Sequence, residues 1–147
     1  MPVMPKFLLS GDDASSASAL LQSSGLLDQL ADGYALVDLD ERVLWGNSAL
    51  RRLVGGEAAI EGRKFFDLFG VPKILAPVFE PFNTALATNV TTRGMFLVGE
   101  KTYYELQVTP VFEQSTDCPT ALIAVTRDVT AEVSERDRMK AIYQAGL

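Results

Sequence analysis

Residues 33–47, GYALVDLDERVLWGN, decide how this chain is read. Two β-rich runs, Tyr34–Val37 and Arg42–Trp45, flank the turn Asp38-Leu39-Asp40-Glu41, which predicts a hairpin. The turn lacks the glycine that two-residue hairpin loops favour. Asn47 then stands before SALRRLVG. Asparagine is a strong N-cap, because its side-chain oxygen accepts a bond from a backbone N–H the helix leaves unpaired. Gly55-Gly56 ends that helix.

Moving toward the C-terminus, EGRKFFDLFG reads as one or two short helical turns carrying Phe65, Phe66 and Phe69. KILAPVFEPFNTALATN has helical spacing at Ile74, Leu75, Val78, Phe79, Phe82 and Leu86, but Pro77 and Pro81 lie inside it. Proline within a helix removes a hydrogen bond and clashes with the preceding turn. The stretch predicts either a kinked helix or a turn followed by a helix from about Pro81. Three strand candidates follow, at 91–98, 102–112 and 120–129. In the second, Tyr104, Leu106 and Val108 alternate with Glu105, Gln107 and Thr109, giving one apolar and one polar face. The third is apolar on both faces: Ala121, Ile123 and Val125 on one, Leu122, Ala124 and Thr126 on the other. Such a strand needs cover on both sides.

Toward the N-terminus, residues 1–13 read as a flexible lead-in. Residues 14–25 read as a flanking helix, with Ala17, Leu20 and Leu21 at helical spacing that continues to Leu27 and Leu30. Gly25 marks a break. The order is helix, two strands, helices, three strands, helix. This predicts an α+β domain over residues 26–130 with one five-stranded antiparallel sheet and helices on one face. A C-terminal helix over 131–147 follows it.

Composition excludes several functions. The 147 residues carry a net charge of -6, against the clustered Lys and Arg that nucleic-acid binding needs. No apolar run approaches the roughly 18 residues of a membrane span, and the N-terminus lacks a signal-peptide core. The reading is a cytoplasmic protein, with no membrane partner in this segment. A single cysteine, Cys118, cannot form an internal disulfide. The absence of histidine rules out a Ser-His-Asp or Cys-His centre and a haem held by a proximal histidine. No metal site and no catalytic residue are read.

At this point the chain resembles the PAS sensory family. GYALVDLDERVLWGN is similar to that family's opening hairpin with its terminal Asn. GRKFFDLFG resembles its Gly-Arg/Lys-x-Phe-x-Asp-Leu segment, TPVF the end of its penultimate strand, and RDVT its closing Asp-x-Thr. Glu41 stands where the family often has Gly, which leaves the turn type open. The resemblance implies that Asp128 and Thr130 sit where the sheet meets an output helix and transmit the signal. Thr130 is expected to cap that helix, and Asp128 to pair with a cation or a backbone donor. The bland account, in which both merely end a strand and start a helix, is compatible with this.

The resemblance also implies a cavity between the sheet and the middle helices. Candidate lining residues are Leu36, Phe65, Phe66, Phe69, Phe79, Phe82, Phe96, Tyr104, Leu106, Ile123 and Val125. Trp45 is a further candidate that could stack on a ring. These aromatics could equally fill the core. No cofactor is named by the residues. The reactive-cysteine segment Asn-Cys-Arg-Phe-Leu-Gln of light-oxygen-voltage flavin domains has no counterpart, and Cys118 lies in the polar stretch STDCP.

Three functions are weighed. The first is a sensory and dimerisation module of a bacterial-type signalling protein such as a histidine kinase, binding a small hydrophobic ligand or none. The second is a ligand-free scaffold for protein–protein contacts. The third is a small α+β isomerase or thioesterase, which would need a carboxylate in an apolar cavity. The expected partners are a second copy, through the N-terminal helix and the sheet's outer face, and a covalently linked downstream domain beyond Leu147.

Overall fold

The computed structural model describes residues 31–56, 59–113 and 117–145. Its strands are β1 (Gly33–Val37), β2 (Val43–Gly46), β3 (Lys73–Ile74), β4 (Thr92–Val98), β5 (Thr102–Phe112) and β6 (Pro119–Asp128). The helices are α1 (Ser48–Leu53), a 3-10 turn (Phe66–Phe69), α2 (Pro81–Thr88) and α3 (Thr130–Ala145). The strands form one sheet in the order β2-β1-β6-β5-β4-β3, antiparallel throughout. The chain is therefore an α+β domain as expected, with six strands rather than five. The extra strand is the two-residue edge Lys73–Ile74, placed by sequence within a helical stretch. The lead-in expected at 1–13 and the flanking helix expected at 14–25 lie outside the described residues.

The hairpin forms without a turn glycine. The Asp38 carboxylate accepts hydrogen bonds from the N–H groups of Asp40 and Arg42 and so closes the turn locally. Glu41 takes φ 68°, the left-handed conformation that glycine would supply. Past the hairpin, Asn47 caps α1: its Oδ1 accepts from Leu50 N–H at 3.0 Å. α2 begins at Pro81, where a missing N–H costs nothing, so the second of the two readings of that stretch is the one formed.

Cross-strand partners share a face of the sheet. On the inner face Ala35 pairs with Ala124, Val37 with Leu122, Leu106 with Thr126 and Phe96 with Tyr104. Leu50 of α1, Ile60, Phe65, Phe69, and Phe82 and Ala85 of α2 pack on this face to form the core. Gly46 is the narrow point. A Cβ there would stand 2.5 Å from Ile60 Cδ1 and 2.7 Å from Leu50 Cδ2. On the outer face Leu36 pairs with both Trp45 and Ile123, Gln107 with Val125, and Glu105 with Arg127.

Candidate functional site: the aromatic core and the strand–helix junction

Of the residues expected to line a cavity, the fold gathers one set. Phe65, Phe66, Phe69, Phe82, Phe96 and Tyr104 interlock edge-on or tilted, with centroids 5.0 to 5.5 Å apart. These are the spacings of mutually packed rings. Leu106 is fully buried beside them.

Five expected lining residues lie elsewhere. Leu36 and Trp45 are buried, but on the outer face, because Ala35 and Val37 take the inward positions of β1. Ile123 and Val125 also face outward, and Leu122 and Ala124 replace them in the core. Phe79 is 61% exposed, in the loop just before α2. One buried polar atom stands out on the inner face: the Thr126 hydroxyl has no hydrogen-bond partner among the described residues. Burial of the Tyr104 phenol, with the Asp128 carboxylate nearby, pushes its pKa above the ordinary tyrosine value.

At the end of β6 the chain is tied to β5 before it becomes α3. Asp128 accepts a hydrogen bond from Thr130 N–H at 2.9 Å. Val129 N–H donates to the Tyr103 carbonyl at 2.9 Å. The Thr130 hydroxyl accepts from Tyr103 N–H at 2.9 Å and donates to Tyr103 O at 3.4 Å. This corrects the expected cap. Thr130 is the first residue of α3, and its side chain reaches across to β5 instead of closing its own helix. The Val129 carbonyl accepts the first intrahelical bond, from Val133 N–H.

A second tie lies on the outer face. Arg127 of β6 bridges Glu105 of β5 at 3.3 Å and Glu132 in the first turn of α3 at 3.1 Å. Sequence reading left Tyr103 and Arg127 unassigned. The signal for the Arg127 bridge was present in the outward face of Glu105, but the partner strand's register was needed to use it. Beneath the first turns of α3 is a cleft of about 160 Å3. Met95, Val129 and Val133 are its apolar walls, and Glu105, Arg127, Glu132 and Arg136 its charged ones.

An antiparallel sheet covered on one face by short helices, with a helix leaving its last strand, defines the class of domain. The sequence matches the family described as the PAS fold over residues 27–134. The chain belongs to the PAS family. No curated protein matches it. Among solved structures it is similar to the PAS domain of Bordetella pertussis BvgS: 15% identity, 86% of this chain and 98% of that one, TM-score 0.57. It is also similar to a sensory box sensor histidine kinase from Vibrio cholerae, at 22% identity over 79% of this chain and 95% of that one, TM-score 0.51. An RNA-binding light-oxygen-voltage receptor matches at 18% identity and TM-score 0.64, over 93% of this chain and 40% of that one. No helix among the described residues is long and apolar enough to cross a membrane.

Proposed function

We propose that the chain is a sensory and dimerisation module of a cytoplasmic, multidomain signal-transduction protein of the histidine-kinase kind, with α3 as its output element. The observation that carries this reading is the reciprocal bonding of Thr130 with Tyr103. The helix start is fastened to the sheet's backbone, so a shift of β5 moves the base of α3. The likeness to a BvgS PAS domain and to a sensor histidine kinase supports the same assignment. Dimerisation through the outer face has support in Ile123 and Val125, which project there half-buried.

A second reading, the ligand-free scaffold, is favoured by one observation: the six rings partner one another. Against it stands the Thr126 hydroxyl, unpartnered among the described residues and the group a ligand's polar atom would meet on that face. The enzyme reading has no support in Glu105, whose carboxylate faces outward and pairs with Arg127.

Native mass spectrometry of the full chain, set against its denatured mass, separates the readings. A small molecule lost on denaturation is expected for a sensor. A ligand-free dimer selects the scaffold. A ligand-free monomer at high micromolar concentration overturns dimerisation.

A further inference from the structure

We propose that the cleft under α3 is a second binding site, on the opposite face of the sheet from the aromatic core, and that it takes a small organic anion with an apolar body. Three observations carry this. The cleft, partly open to solvent, has about 160 Å3, a volume on the order of the ~150 Å3 that holds a benzene-sized molecule. Its apolar walls are Met95 of β4 and Val129 and Val133 at the start of α3, a surface for an apolar body. Its charged walls are unevenly used. Arg127 is held by both Glu105 and Glu132, whereas Arg136 has no ion-pair partner among the described residues. The guanidinium left over at the cleft is a planar fork of donors that matches a carboxylate.

The walls also set the selectivity. With Glu105 and Glu132 both beside the cleft, a cationic ligand would compete with Arg127 for carboxylates already bridged. A multiply charged anion would meet those same carboxylates at close range. A monoanion, with one carboxylate on Arg136 and its apolar part on the valines and Met95, is the charge state the walls accept. The site draws residues from β4, β5, β6 and α3, so an occupant would touch the sheet and the helix at once. The inference does not rest on the signalling reading, because binding is read at the cleft itself.

The test is a titration of the isotope-labelled full chain with benzoate, following backbone amide shifts, with benzamide and inorganic phosphate as comparison probes. Saturable benzoate shifts are expected at Met95, Val129 and Val133. Benzamide should bind on the order of tenfold more weakly, as loss of a charged hydrogen-bond partner implies. Phosphate should produce no saturable shift there. Arg136→Gln, at an exposed position, should weaken benzoate on the order of tenfold. Glu132→Gln should tighten it about threefold by releasing one side of Arg127. Failure to saturate at these residues, phosphate shifts equal to those of benzoate, or an unaffected R136Q variant would each overturn the site. So would saturable shifts confined to Phe65 and Phe96, which would put the ligand in the aromatic core.

Discussion

Asn47 shows how much one side chain can organise. It is fully buried, accepts from Leu50 N–H and Tyr34 N–H, and donates from Nδ2 to the Asp32 carbonyl. It therefore caps α1 and pins the start of β1 at the same time. Asn47→Ala is expected to cost about 3 kcal/mol, a lost cap plus backbone donors left unpaired, measured as a lower denaturant midpoint. Glu41 is the opposite case, a residue the fold tolerates. Its left-handed backbone costs about 1–2 kcal/mol in an L-residue, partly offset in a glycine variant by added chain entropy. Glu41→Gly should thus stabilise the domain by ~0.5–1 kcal/mol. Burial also raises the Glu41 pKa, Lys64 opposes that shift and Glu80 adds to it. A carboxyl whose folded pKa is raised stabilises the fold below its unfolded pKa, and that contribution is lost as pH rises through the folded value. Glu41→Gln should flatten this dependence just above the ordinary carboxylate range, with a gain at neutral pH below about 0.5 kcal/mol after solvent screening.

At the scale of elements, β5 was the most legible part of the chain. Its period of two over Tyr104–Thr109 appears directly as alternating burial. β6 was not legible in the same way. Its two faces are both apolar, and Ile123 and Val125 were expected on the core side. The face is set by pairing: Thr109 opposite Ile123 and Gln107 opposite Val125 draw both outward. Phe79 was misplaced because helical spacing was carried through Pro81, which is where α2 starts. β3, two residues long, carries too little pattern to be read. The junction of β6 and α3 yields its own prediction. Thr130→Val keeps the shape but leaves Tyr103 N–H without its acceptor, a loss of about 1–2 kcal/mol. Amide exchange should quicken in the first turn of α3 and at Tyr103, while β1 stays protected. Thr130→Ser should behave as the parent.

For the molecule as a whole, the ring cluster is where stability concentrates. Phe96 is buried against Phe66, Phe69 and Tyr104, so Phe96→Ala should cost about 3–5 kcal/mol by cavity formation. Phe79→Ala, at an exposed position, should change stability by less than about 0.5 kcal/mol. Equilibrium unfolding of the two variants tests the division of the expected lining residues into those brought together and those left outside. That division was half visible in the sequence. The FFDLF segment and the strand alternation identified the rings. What no local pattern could give was the packing of the loop after α1 and the start of α2 over the sheet. That packing determines whether aromatic side chains enclose a space or fill it.

β5 is hydrogen-bonded to neighbours on both sides over Tyr104–Val108 and carries consecutive residues with opposite duties. Tyr104 enters the ring cluster, the Tyr103 backbone holds Thr130, and Glu105 holds Arg127. Any change in chain length inside this strand would exchange all three assignments at once, sending a carboxylate inward and a ring outward. Length changes next to β5 that preserve these assignments therefore fall outside the strand, before Thr102 or after Phe112. Among descendants of this sequence those two junctions are where length can drift, while the strand between them keeps its count.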